Sequence, residues 1–175
     1  MLKPQIEKAL NEQINAELYS AYLYLSMSAY FETIDLKGFA SWMRVQSQEE
    51  LVHAAKFFAF INERSGRVAL AAIGGPPVEW KSPLDAFEAA HTHEVHVTSL
   101  INSLVDLAQA SSDHATYNFL QWFVAEQVEE EASTDAVVKQ LRLVRGEGHG
   151  LLLIDREAAQ RTFVMPPAGG AGAAP

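Results

Sequence analysis

The stretch Gln48-Glu49-Glu50-Leu51-Val52-His53, set beside Glu126-Gln127-Val128-Glu129-Glu130, decides the fold. Both segments lie inside long helical patterns, and both put ligand-type side chains where the pattern demands apolar ones. Glu50 sits midway between Met43 and Phe57, and Glu130 midway between Phe123 and Val137. Gln127 follows Leu120 by seven residues. Seven residues are about two helical turns, so these side chains point with their apolar neighbours into a core. His53 lies one turn beyond Glu50. Further out, Glu17 holds the same place between Leu10 and Tyr24, and Glu94 between Phe87 and Ile101.

The spacing repeats. Glu17 precedes Glu50 by 33 residues and His53 by 36; Glu94 precedes Gln127 by 33 and Glu130 by 36. An offset of 77 residues therefore maps the first half onto the second, and carries Glu49 onto Glu126. Each half offers one ligand from its first helix and an i, i+3 pair from its second. Two such helix pairs, packed about a pseudo-twofold axis, would surround a two-metal centre.

Charge makes the same case. A buried carboxylate without a partner costs several kcal/mol even after relaxation. Protonation, a partner cation or a metal ion can relieve it, and no Lys or Arg lies on these inward stripes. Two divalent cations balance Glu17, Glu50, Glu94 and Glu130, and His53 adds a neutral nitrogen. Carboxylate oxygen with one imidazole suits iron or manganese. The plainer readings are a solvated glutamate, a chance Glu-x-x-His and a core tyrosine at Tyr24. They account for each residue singly but not for the matched spacings. His91, His93 and His96 cannot all share one helix face and are read as surface or supporting groups; His114 and His149 are read as capping or surface groups.

The rest of the chain supplies the frame. Leu10, Ile14, Ala21, Tyr24, Ser28 and Phe31 predict a helix from about Gln5 to Thr33. A second runs from about Phe39 to Ser65, with Met43, Phe57, Phe60 and Ile61 inward and Gly66 as its stop. The third opens at Ser82-Pro83, where Ser82 is an N-cap candidate and Asp85 complements the helix N-terminus, and continues to about Ala110. The fourth runs from near Asp113 to about Val144, with Leu120, Phe123, Val137 and Leu141 inward, and ends at Gly146 and Gly148. Short links around Asp35–Gly38 and Ser111–Asp113 make antiparallel neighbours. The segment from Arg67 to Lys81 can reach ~50 Å at ~3.3 Å per residue, against ~40 Å for a ~27-residue helix. It can therefore cross the whole bundle and set the second and third helices parallel. The expected fold is an all-α four-helix bundle with one long crossover. A short fifth helix, Leu151 to Arg161, is too apolar for a solvated appendage and should pack on the bundle or on another subunit. One domain over residues 1–161 and a Pro/Gly/Ala-rich tail over 162–175, disordered, complete the expected organisation.

Composition bounds the partners. The chain has 175 residues, 49% hydrophobic and 20% charged, with a formal net charge of -9. That length suits one domain with a full core. An acidic chain favours cations over nucleic acid or anionic membranes. With no cysteine, a disulfide framework, a thiolate zinc site and a Cys-ligated iron–sulfur centre are excluded. No signal-type apolar core and no membrane-length apolar run stand out, so cytoplasmic localisation is the expectation.

Over about residues 1–161 the chain resembles the ferritin family, closest to the bacterial non-haem ferritins. The resemblance rests on Met1-Leu2-Lys3-Pro4, Asn11-Glu12-Gln13, Glu17-Leu18-Tyr19-Ser20, Gln48-Glu49-Glu50, Asn118-Phe119-Leu120-Gln121-Trp122 and Glu126-Gln127-Val128-Glu129-Glu130. It implies iron storage and detoxification, with a ferroxidase that oxidises Fe(II) by dioxygen or peroxide. It also implies a hollow shell of twenty-four identical subunits, with the fifth helix at fourfold contacts. By resemblance Glu17, Glu50 and His53 bind the first iron, Glu50 bridges, and Glu94 and Glu130 bind the second. Gln127 would hydrogen-bond dioxygen or water, and Tyr24 would donate an electron or a hydrogen bond. Glu49, Glu126 and Glu129 would form a third iron site, with Glu130 shared. The second half departs from the Glu-x-x-His of bacterioferritins by reading Gln127-x-x-Glu130, which leaves the second iron weakly held. Leu51 stands where bacterioferritins place a haem-binding Met, so no haem is expected. The rivals are a di-iron oxygenase, which would need a substrate pocket beside the metals, and a purely structural bundle with protonated carboxylates.

Overall fold

The computed structural model describes residues 2–145 and 148–164. It contains five helices: α1 (Pro4–Thr33), α2 (Lys37–Glu63), α3 (Pro83–Ala110), α4 (His114–Leu143) and α5 (Gly148–Ala158). No strand occurs among the described residues. Side-chain contacts fix the directions. Ser28 reaches the Ala40 carbonyl and Ser47 the Ala21 carbonyl, so α1 and α2 are antiparallel. Arg142 reaches Glu88 and Gln127 reaches Glu94, so α3 and α4 are antiparallel. Tyr24 meets Glu94 and Tyr30 meets Trp80, which sets α1 against α3 in opposite senses and leaves α2 and α3 parallel.

The crossover that this requires runs the length of α1. Asn11 donates to the Arg67 carbonyl and accepts from the Ala69 amide, Asn15 donates to the Ala72 carbonyl, and Ser26 donates to the Pro77 carbonyl. Backbone polar groups of an irregular segment need partners, and the outer face of α1 supplies a ladder of amides and a hydroxyl for them.

The starts of α3 and α4 are set by side-chain caps. Ser82 accepts from the Asp85 amide, and Asp85 in return accepts from the Lys81 amide, a reciprocal cap at the start of α3. Asp113 caps α4 through the Thr116 amide and pairs with Arg64 at the end of α2. The expected stop at Gly66 falls one residue late. Ser65 takes the left-handed conformation at φ 58°, and the Gly66 amide closes back on the Ile61 carbonyl at 2.9 Å. Asp35, Ser112 and Arg145 play the same part after α1, α3 and α4. Gly146 and the residues from 165 onward, including the tail expected to be disordered, lie outside the described residues.

Two further boundaries shift. Helix α2 begins at Lys37, before the expected Phe39, because Gly38 belongs to its first turn. A Cβ on Gly38 would lie 1.6 Å from the Asp155 carbonyl oxygen, so this glycine permits close packing of α5. Helix α5 itself spans Gly148–Ala158, three residues earlier than expected. The Asp155 side chain accepts from the Phe39 amide at 2.8 Å, capping α2 from another element. Ile154 and Ala158 are buried on the bundle, while Leu152 and Leu153 face outward. On α4, Val138 rather than Val137 takes the fully buried place; Val137 is partly buried beside it.

The apolar core is divided in two. One cluster gathers Tyr24, Met27, Phe31, Phe39, Met43 and Phe87. The other gathers Leu10, Ile14, Phe57, Ile101, Leu120 and Phe123. The layer between them is polar.

Candidate metal centre

That polar layer contains every residue on the inward ligand stripes. Glu17, Glu50, His53, Glu94, Gln127 and Glu130 are all buried, none more than 4% exposed. Four helices deliver them, with heptad positions on either side locked into the two apolar clusters. The ligand atoms of Glu17, Glu50 and His53 lie within 4.8 Å of one another. His53 Nδ1 stands 3.2 Å from Glu50 Oε2. Its ring is held edge-on by Trp122 and Phe123, with centroids at 5.4 and 6.0 Å.

The far side of the layer is organised around Glu94. Tyr24 donates its hydroxyl proton to Glu94 Oε1, and Gln127 Nε2 donates to Glu94 Oε2 at 3.2 Å and to the Glu94 carbonyl at 3.3 Å. The Gln127 amide nitrogen is thus engaged with Glu94. Gln46 donates to Glu130 Oε2 at 2.7 Å, and Gln13 to Glu17 Oε1 at 2.9 Å. Sequence reasoning assigned neither glutamine a role. Their signal was present, since each lies four residues before an inward glutamate, Glu17 or Glu50.

Charge in this layer is unbalanced. Among the described residues no Lys or Arg pairs with Glu17, Glu50, Glu94 or Glu130. Burial, and then the neighbouring Glu50 charge, pushes the Glu17 carboxyl up to about 8. Burial and the Glu130 charge push Glu94 up to about 7. Glu50 is raised well above its ordinary value by burial and by Glu94 and Glu130, and Tyr24 is raised by burial and by Glu94. Desolvation and like charge act in the same direction here. Glu17 Oε2, beside the like-charged Glu50 carboxylate, is buried with no amide, hydroxyl or cation donating to it. The pseudo-symmetric counterpart of Tyr24 is Ile101, which has no donor to offer it. An unpartnered carboxylate oxygen within a ring of like charges fits a bound cation.

The remaining acidic candidates lie beside the layer. Glu126 is half-buried, with Oε1 3.9 Å from His53 Nε2. Glu129 is exposed. Glu49 is partly buried and paired with Arg161, whose Nη2 donates to Oε2 at 2.6 Å. That arginine follows α5 in sequence, and nothing in helical periodicity connects it to Glu49. Of the three histidines on α3, His93 is the one that packs against α1. It shares a hydrogen bond with Ser20 at 2.8 Å and lies edge-on to Tyr24, and burial lowers it to about 4. His91 contacts Thr134 at 3.2 Å, and His114 and His149 are exposed.

The family model described as the ferritin-like domain matches residues 7–144. A bacterial non-heme ferritin of Bacteroides fragilis is 44% identical over 161 residues, covering 92% of this chain and 100% of that protein. Another, of Campylobacter jejuni, is 41% identical over 156 residues, covering 89% of this chain and 93% of its own length. Among solved structures, an open pore ferritin of the hyperthermophilic archaeon Archaeoglobus fulgidus is 57% identical. It superposes with a TM-score of 0.92 over 93% of this chain and all of that one. No described helix is long and apolar enough to cross a membrane. The four-helix frame, the polar layer that splits its core and these matches together show that the chain belongs to the ferritin family of iron-storage proteins.

Proposed function

We propose that this ferritin oxidises Fe(II) at a two-iron centre and stores the Fe(III) product inside a shell of twenty-four copies. The observation that carries the reading is the convergence of Glu17, Glu50 and His53 within 4.8 Å, beside Glu94 and Glu130 in the same buried layer. Glu17, Glu50 and His53 take the first iron, and Glu50 with Glu94 and Glu130 take the second. Each substrate iron gives up one electron, and dioxygen or peroxide takes both. Replacing bound protons by Fe(II) relieves the repulsion among the carboxylates, so binding releases protons. The first iron has imidazole as well as carboxylate ligands and binds tighter than the second.

The other residues hold and adjust the centre. Gln13 and Gln46 fix one oxygen each of Glu17 and Glu130. Tyr24 orients Glu94 and, through that ligand, would supply an electron or a proton to the second iron. Gln127 turns from Glu94 to the oxidant or to water. Glu49, Glu126 and Glu129 receive a third iron on its way to the mineral, with Glu130 shared. Haem has no part in this chemistry. Exposed Tyr22, Leu25, Leu70, Ile73 and Val78 lie along α1 and its crossover, the kind of apolar surface that subunit contacts cover. The reading places the protein in the cytoplasm.

The test needs no organic substrate. Anaerobic metal-free protein is loaded with Fe(II) and mixed with dioxygen or peroxide, while iron oxidation and particle mass are recorded. Rapid oxidation in a particle of about twenty-four subunit masses supports the reading. Oxidation no faster than that of Fe(II) in buffer sinks it.

A further inference from the structure

Helix α5 is fastened to the start of α2. Its Asp155 side chain caps the Phe39 amide, its backbone fills the space that Gly38 leaves, and Ile154 and Ala158 are buried. The chain then makes one more turn, with the Arg161 amide bonded to the Ala158 carbonyl at 3.2 Å. This delivers the Arg161 side chain to a shelf on α2 made by Trp42 and Glu49. These two are seven residues apart and therefore on one face. The guanidinium lies over the Trp42 ring at 4.5 Å and donates to Glu49 at 2.6 Å. Its other terminal nitrogen, Nη1, is buried without a partner among the described residues. Glu49 is therefore already occupied by a cation that the chain itself supplies.

We propose that Arg161 is a resident competitor for the third iron, so that a metal ion reaches Glu49 only by displacing it. This rests on the two-iron reading and on the third cation lying among Glu49, Glu126 and Glu129. A guanidinium on a carboxylate is an alternative occupant of the same oxygens. It lowers the apparent affinity for metal by the fraction of molecules in which Glu49 is free. The two buried sites carry no such competitor, so they fill first. The third fills when the charge of an incoming divalent ion outweighs that of the arginine. Filling it also detaches the segment after α5 from α2. The order of loading, centre before third site, is thus set by a residue more than a hundred positions away in sequence.

The test uses the assembled full-length protein, metal-free, with Zn(II) as a redox-inert probe. Calorimetric titration and anomalous diffraction at the zinc edge are carried out on wild type, Arg161→Gln, Arg161→Lys and Glu49→Gln. Arg161→Gln should bind the third zinc about tenfold tighter than wild type, corresponding to about 1.4 kcal/mol, with the two central sites unchanged. Arg161→Lys keeps the charge but loses the planar fork, so it should fall between. It also decides the matter should Arg161→Gln fail to assemble. Glu49→Gln should lose the third zinc. Equal third-site affinity in wild type and both arginine variants, with zinc still seen at Glu49, overturns the competition and leaves the third site standing. Two zinc ions in every protein and never a third overturn both, while the two-iron reading survives.

Discussion

The proposed first iron rests on Glu17 and His53, and each can be tested singly. Glu17 holds its proton up to about pH 8, so in metal-free protein at neutral pH it is mostly a neutral acid. Glu17→Gln preserves shape and the neutral state. Above pH 8 the metal-free variant should therefore melt higher than wild type, whose Glu17 must then carry a buried charge. Its Fe(II) oxidation should nevertheless fall, because an amide is a poor ligand. A variant less stable than wild type at pH 9 would contradict the assignment of burial as the cause. His53→Ala should abolish the fast phase of Fe(II) oxidation while the shell still assembles, as read by stopped-flow absorbance and light scattering. Wild-type rates in the assembled variant would refute His53 as a ligand. At this scale the ligand stripes were legible because heptad spacing betrays a glutamate in a core position. Gln13 and Gln46 were on the same stripes but carried no charge to raise the question. Arg161 was invisible, since its partner is set by how a separate helix docks.

Helix ends and helix docking were the least legible elements, and both failures have one origin. Gly66 was read as a stop and Gly38 as part of a link, whereas Ser65 takes the left-handed turn and Gly38 lies in α2, where the lack of a side chain admits α5. Two substitutions follow. Gly38→Ala drives a methyl against the Asp155 carbonyl; overpacking of this kind costs about 1–3 kcal/mol. It should lower the melting temperature and expose the chain around α5 to protease. If Gly38→Ala melts and resists protease like wild type, the close contact with α5 is not fixed. Ser65→Gly relieves a left-handed non-glycine residue at φ 58° and should stabilise by about 0.5–1 kcal/mol in reversible denaturation. The α3 start, by contrast, was readable to the residue, because Ser82, Pro83 and Asp85 each have a positional meaning that packing did not override.

On the scale of the whole molecule, the repeat at 77 residues and the reach of the crossover gave the bundle and its topology before any contact was known. What spacing could not convey was the asymmetry within that repeat, where Tyr24 reaches Glu94 but Ile101 offers nothing to Glu17. The consequence is a pH-dependent frame. Glu17 and Glu94 have folded-state values raised from 4.5 to about 8 and about 7. Between pH 4.5 and 8 the folded protein holds protons that the unfolded chain releases. These groups therefore make metal-free stability fall as pH rises through that window, and level off above it. A divalent ion replaces the protons, so added Zn(II) should raise the melting temperature at pH 7.5 and flatten the decline. Metal-free stability that climbs from pH 5 to 8 would contradict the buried like-charge layer.

The central claim, two irons in one buried layer, is tested most directly by anomalous diffraction at the iron edge from crystals loaded with Fe(II) without oxygen. Two peaks are expected within that layer in each subunit, one among Glu17, Glu50 and His53 and one among Glu50, Glu94 and Glu130, whatever occupies the third site beside it. Well-ordered crystals with Fe(II) in excess and no peak in that layer would contradict the claim.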